Sequence, residues 1–253
     1  MAENFSSNYS RYYDLLYKDK NYKAESEYVS RLIRSFHPDA QDILELGCGT
    51  GNHAALFCQD GFKVTGIERS AEMVTQAKAK CIKGFTPIVG DIENYRLDEK
   101  SDVAISLFHV ISYLTSNESL IECFKSTRLH LNGGGIFIFD VWYSPAVYCQ
   151  QPETRIKRME DEAIEVIRLA EPESHWNMNV VDVNYEIIVR DKKTLSTEIY
   201  NEKHPMRHFS LPEMQLLARL GGFEVLNAEE FMTGNEPSEK TWGVCFTLKK
   251  IDA

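Results

Sequence analysis

The sequence predicts a doubly wound α/β fold: a seven-strand, mainly parallel sheet with helices on both faces, and an antiparallel β-rich cap inserted late in the chain. Three observations predict it. Short apolar strands alternate with helical segments up to residue 140, the pattern of a parallel sheet. The first strand breaks into Gly47-Cys48-Gly49-Thr50-Gly51, a glycine-rich turn that opens a helix. Residues 153–205 then alternate apolar and polar side chains over long runs, the period of half-buried antiparallel strands.

In chain order, residues 9–36 read as helical. Tyr9, Tyr12, Tyr13, Leu16 and Tyr17 fall near helical spacing, and a second helix over 24–36 stops before His37-Pro38. Residues 42–46 form a strand, 52–58 a helix and 63–68 a second strand. Ser70 caps a helix with Met73, Val74 and Ala77 on one face. A strand over 102–107 precedes a helix over 117–131, which ends at Asn132-Gly133-Gly134-Gly135; residues 136–140 are then a buried strand. Ser210-Leu211-Pro212-Glu213 starts a helix reaching Leu220, with Gly221-Gly222 beyond its end. Strands near 223–230 and 241–249 close the sheet. Four regions result: an N-terminal helical lid (1–40), a Rossmann-like core (41–150) whose expected ligand its motifs address, the β-rich cap (151–208), and a closing helix with two strands (209–253).

Composition narrows the function. A chain of 253 residues that is 43% hydrophobic buries a sizeable core. The 28 basic and 38 acidic residues leave a net charge of −10, which argues against nucleic acid or an anionic membrane as partner. The N-terminal stretch is too polar for a signal peptide, and no segment reaches the ~20 apolar residues of a membrane span. The six cysteines are scattered with no CxxC pair, which fits a reducing cytoplasm and no zinc site.

The glycine turn carries the strongest functional signal. Glycines let backbone approach a ligand without a Cβ in the way, and ligands of such sheets bind beyond the carboxyl ends of the strands. The spacing is Gly-x-Gly-x-Gly rather than the Gly-x-Gly-x-x-Gly of dinucleotide binders. Taken alone it is also what any tight glycine turn looks like. Glu68 ends the second strand, where a carboxylate can accept from both hydroxyls of a ribose. Asp91, in Val89-Gly90-Asp91-Ile92, can accept from an exocyclic adenine amine. Leu107-Phe108-His109 follows the fourth strand and would floor the pocket.

These motifs, together with Leu131-Asn132-Gly133-Gly134-Gly135 leading into the fifth strand, resemble the class I S-adenosylmethionine-dependent methyltransferases, which have a Rossmann-like fold. The resemblance is strong over residues 40–140; it is specific for the cofactor and unspecific for the acceptor. It implies that Glu45 lies near the amino group of the cofactor's methionine, that Gly47 and Gly49 border the cofactor, that Glu68 holds the ribose and that Asp91 holds the adenine. Tyr13, Tyr22, Cys48, Gly51, Arg69, Met73, Ile92, Leu107 and Phe108 complete the expected cofactor site.

Tyr12-Tyr13-Asp14-Leu15-Leu16-Tyr17, Gly90-Asp91-Ile92-Glu93, Phe108-His109-Val110-Ile111-Ser112-Tyr113 and the β-rich insertion are similar to the N,N-dimethyltransferases of nucleotide-linked 3-amino sugars. In that group an N-terminal tyrosine, matched here by Tyr13, lies over cofactor and acceptor. A histidine of the fourth-strand loop falls where this chain has Tyr113, which leaves the acceptor open.

The donor is a sulfonium whose methyl carbon is already electrophilic, so an aligned, uncharged nucleophile in a water-poor pocket suffices. Tyr13, His109 and Tyr113 are expected to orient the acceptor. Tyr17, Tyr200, His204, Arg207 and His208 are candidate acceptor-binding residues, the last three suited to a phosphate or carboxylate. The same cluster would also make a solvated polar strand edge. Trp176 and Trp242 suit core or pocket wall equally. The expectation is methyl transfer to a small molecule, on nitrogen by the family likeness, without a metal. O-methylation of a sugar hydroxyl or carboxylate, or cofactor binding without catalysis, are the alternatives. The cap is expected to cover the acceptor or pair two copies as a homodimer.

Overall fold

The computed structural model describes residues 15–252. Tyr9, Tyr12 and Tyr13 lie outside them, as does the first part of the expected lid. Helix α1 (Tyr22–Phe36) starts earlier than its apolar pattern suggests. Asn21 is the reason: its side chain accepts from the Ala24 N–H at 3.1 Å and caps the helix.

Strand β1 (Asp42–Leu46) leads into α2 (Asn52–Gln59), then β2 (Lys63–Glu68) and α3 (Ala71–Ala79). Ser70 caps α3 by accepting from Met73 N. Next come β3 (Phe85–Val89), β4 (Ser101–Ser106), a 3₁₀ turn (Val110–Tyr113) and α4 (Asn117–Leu129). Strand β5 (Leu131–Tyr143) is far longer than residues 136–140, and it begins before the glycines rather than after them. The extra residues form a bulge: pairing jumps from Ser101↔Leu131 to Val103↔Ile136, and Gly134 supplies the left-handed φ of 72° that this needs.

After α5 (Ser144–Gln150) come β6 (Arg155–Glu160), β7 (Ile164–His175), β8 (Val180–Asp191) and β9 (Thr197–Phe209). The chain closes with α6 (Leu211–Leu220), β10 (Phe223–Glu230) and β11 (Gly243–Lys250). A full capping box starts α6: the Ser210 side chain accepts from Glu213 N, and the Glu213 side chain accepts from Ser210 N.

The core sheet has the order β3-β2-β1-β4-β5-β11-β10, with β1 to β5 parallel and β11 antiparallel to both its neighbours. Alternation along β5 builds two layers. Phe137, Phe139 and Val141 pack with α4 and α6, while Ile136 and Ile138 join the layer of α1 and α2. Strands β6 to β9 pair in antiparallel order. They continue the core sheet, because β9 joins β5 in parallel at Trp142↔His208 and Tyr143↔Phe209.

The order in which strands are added to the sheet reverses between β1 and β4, which opens a crevice beyond their carboxyl ends. The cap roofs it: Leu16, just before α1, packs with Met73 of α3 against Ile164, Val166, Ile187 and Val189. Among the described residues, no helix is long and apolar enough to cross a membrane.

Candidate active site

The glycine turn is held by two backbone bonds, from Gly47 N and Cys48 N to Ile67 O, at 2.8 and 3.1 Å. Gly47, Gly49 and Gly51 all take positive φ. A Cβ on Gly47 would lie 2.7 Å from both methyls of Val110, so only glycine lets the 3₁₀ turn approach. A Cβ on Gly49 would meet nothing within 4 Å, which leaves that side of the turn open.

Two adjoining cavities of about 180 and 410 Å³ occupy the crevice. They share Gly47, Glu68, Val110 and Tyr113. The first runs from the turn and Tyr22 to an aromatic chamber of Tyr17, Phe108, Trp142 and Tyr185. The second reaches Arg69, Asp91 and Ile92.

The acids at the strand ends have distinct surroundings. Glu68 Oε2 accepts from Gly49 N at 3.0 Å and Oε1 from Ser70 N at 2.8 Å. Burial still pushes its carboxyl above the ordinary range, against these two bonds. Each oxygen keeps a second lone pair for a ligand hydroxyl. Asp91 Oδ1 accepts from Glu93 N at 3.0 Å, which fixes the side chain at the wall of the second cavity. Glu45 lies beneath the turn, and its Oε2 is buried without a hydrogen-bond partner. Burial, then repulsion from Glu68, raises it to about 8.

A family profile described as a methyltransferase domain matches residues 43–135. Over that stretch the chain carries a methyltransferase domain.

The domain is similar to dTDP-3-amino-3,4,6-trideoxy-alpha-D-glucopyranose N,N-dimethyltransferase of Streptomyces venezuelae, with 33% identity over 138 residues. That alignment covers 54% of this chain and 58% of the relative, little more than half of each. The sugar N-methyltransferase KedS8 from a Streptoalloteichus species shares the fold, with a TM-score of 0.81 and 22% identity over 95% of this chain and 93% of that one. CalS10 of Micromonospora echinaspora, an amino pentose methyltransferase solved with S-adenosylmethionine bound, has a TM-score of 0.75 at 20% identity, over 94% and 96% of the two chains.

In the methyltransferase domain the crevice floor is strained. Phe108 and His109 are consecutive non-glycine residues with φ of 68° and 60°. The Phe108 ring is held edge-on by Tyr17 at 4.9 Å, with Lys20 Nζ over its face at 4.2 Å. His109 Nδ1 lies 2.7 Å from Asp140 Oδ2. The His109 backbone N–H donates to both Asp140 oxygens at 3.2 Å. Burial alone would push Asp140 up, but His109 holds it below the usual carboxylate range.

Most of the expected residues meet at these cavities. Tyr17, Tyr22, Cys48, Gly49, Met73, Leu107, Phe108 and His109 line the first; Arg69, Asp91 and Ile92 line the second; Gly47, Glu68 and Tyr113 line both. Gly51 faces Phe85 instead, where a Cβ would sit at 2.6 Å.

The cluster over 200–208 is not gathered, because neighbouring residues of a strand point to opposite faces. Arg207 pairs with Glu213 at 2.7 Å and also bonds Asn117 Oδ1 and Thr115 O. His208 Nδ1 meets Ser144 Oγ at 2.8 Å, and burial holds its ring down at about 4. Tyr200 bonds Glu198. His204 sits behind Tyr113, with Nδ1 2.8 Å from the phenol oxygen. Trp176 is exposed, and Trp242 stacks edge-on against Trp142.

Asp140, Trp142, Tyr185 and Met206 were not anticipated. Asp140 had a signal, since an acid inside the apolar run Phe137-Ile138-Phe139-Asp140-Val141 needs a partner. The β7–β8 hairpin also gathers Glu173, His175 and Asp182, which no local spacing announces; Lys203 Nζ already lies 2.6 Å from Asp182.

Proposed function

We propose that this chain transfers methyl groups from S-adenosylmethionine to the amine nitrogen of a small molecule of the amino-sugar kind. The observation that carries the reading is the aromatic chamber that continues the first cavity from the glycine turn to the underside of the cap. Roles follow from the resemblance and the surroundings. Glu45 faces the ammonium of the cofactor, Glu68 takes the ribose hydroxyls, Asp91 takes the adenine amine, and Leu107 and Phe108 form the floor. Tyr13, Tyr113 and His109 orient the acceptor.

An alkyl ammonium loses its proton only near ~10 in water. Without a lone pair it cannot attack. Enclosure beside a sulfonium lowers that value, since desolvation and a like charge both disfavour the cation. Walls of Tyr17, Trp142 and Tyr185 supply that enclosure.

A hydroxyl acceptor is the second reading, supported by the contact of His109 with Asp140, the arrangement of a base steadied by an acid. Mass spectrometry of a panel of amino sugars and their hydroxyl counterparts tests both. Methylated product from the amines alone supports the first reading, and product from the hydroxyl compounds alone overturns it. Cofactor binding with turnover of neither leaves a non-catalytic binder.

We also propose that the enzyme works in the cytoplasm and that two copies pair through the cap. Among the described residues strand β6 pairs only with β7, which leaves its other edge unpaired by them, and Ile156 on it is 53% exposed. Light scattering reports the mass, and a monomer at working concentration refutes the pairing.

A further inference from the structure

We propose that Tyr113, His204 and Glu202 form a proton relay that strips the acceptor amine of its proton, with Tyr113 as the catalytic residue at the cavity wall. The inference rests on the amine reading above and supplies the proton acceptor that reading lacks.

Tyr113 ends the 3₁₀ turn after β4, at the join of the two cavities. Its oxygen lies 2.8 Å from His204 Nδ1, and His204 Nε2 lies 3.1 Å from Glu202 Oε2. His204 and Glu202 are 2% and 7% exposed, on the same face of β9. Edge-on rings of Tyr113 and Tyr185 fix the imidazole plane. A carboxylate only accepts, so Glu202 selects the tautomer with hydrogen on Nε2. Nδ1 then carries the lone pair, and Tyr113 donates to it. A phenol oxygen that donates its proton keeps acceptor capacity, and here that oxygen belongs to a residue lining the acceptor chamber.

The step balances. An N–H bond of the substrate ammonium breaks and an O–H bond forms on Tyr113. The proton Tyr113 already held moves to His204 Nδ1. The imidazolium so formed faces the Glu202 carboxylate. The nitrogen, with its pair restored, attacks the methyl carbon; the C–S bond breaks, its electrons stay on sulfur, and the sulfonium becomes a thioether. The product is an ammonium, so a second methylation needs the same removal again, after His204 has returned its proton to water.

Among the described residues, other polar and titratable groups lie close to the relay. Tyr17 and Arg168 approach from the lid and β7, Tyr185 from β8, and His109 with Asp140 from the floor. Burial holds the Tyr113 phenol well above its ordinary value, with Tyr17, Tyr185 and Glu202 adding to it against Arg168. It therefore passes a proton on rather than resting as a phenolate.

Two measurements test the relay. Nitrogen NMR of histidine-labelled full-length protein reads the tautomer of His204, assigned with His204→Gln. The relay requires the neutral ring with hydrogen on Nε2; a proton on Nδ1 at neutral pH overturns it, whatever the acceptor. Kinetics then use dTDP-3-amino-3,6-dideoxy-α-D-glucopyranose as probe. Tyr113→Phe and Glu202→Gln should each lower kcat by about 100-fold, the usual scale of acid–base catalysis, and Glu202→Asp should recover part of the loss. KM and cofactor affinity should stay within about threefold, and the acid limb of the pH profile should move to higher pH. An equal loss at every pH, with the limb unmoved, marks a structural role and overturns the relay. Absence of turnover by the wild type with this probe counts against the amine reading, and the tautomer still decides the relay.

Discussion

In the half of the crevice proposed for the cofactor, the glycine turn follows β1, Glu68 ends β2 and Asp91 follows β3. In the half proposed for the acceptor, Tyr17, Tyr113, Trp142, Tyr185 and Met206 come from the segment before α1, the 3₁₀ turn, β5, β8 and β9. The first half is held through backbone N–H groups, with Gly47 and Cys48 donating to Ile67 O and Gly49 donating to the Glu68 carboxylate. The second is held by side chains that meet across the junction of cap and core. Contiguous strand–turn units can thus fix a cofactor, while acceptor choice depends on how a late insertion folds back.

The largest effect should come from the cofactor half. Glu68→Ala is expected to cost about 2–3 kcal/mol of S-adenosylmethionine binding, because charge-assisted bonds are lost. The loss has two sources, the ribose hydroxyls and the Gly49 N–H that Glu68 anchors. Unchanged affinity in a folded variant, measured by calorimetry, would put the ribose elsewhere.

That asymmetry also governs what could be read from the sequence. Strand ends at Leu46 and Glu68 were legible because apolar runs stop there and glycine or a cap follows. The four-strand cap was legible from its period of two. Its partners were not, since alternation states that a face is buried but not against what. So Arg207 and His208 read as anion binders, whereas one braces the start of α6 and the other the junction with α5. The aromatic wall of Trp142 and Tyr185 needs the β5–β9 pairing, which no local pattern encodes.

A smaller effect is expected in the acceptor half. His109→Asn should slow turnover by roughly tenfold to a hundredfold, about 1.4–2.8 kcal/mol, with cofactor affinity intact. Tyr13→Phe should behave alike. A loss beyond about ten-thousandfold from either would make that residue an essential base and favour a hydroxyl acceptor.

The smallest effect on the reaction is expected at Arg207. Arg207→Met should lower stability by about 1–2 kcal/mol, since the pair with Glu213 is partly exposed, and should leave KM for a dTDP-linked amino sugar unchanged. A large rise in KM without loss of stability would return Arg207 to the acceptor site and narrow the contrast between the two halves.

The most direct test of the account is a calorimetric titration of the full chain with S-adenosylmethionine and, separately, with NAD. The glycine spacing, Glu68 and Asp91 predict micromolar affinity for S-adenosylmethionine, roughly −8 kcal/mol, and none for NAD. Tight binding of NAD with no binding of S-adenosylmethionine would contradict it.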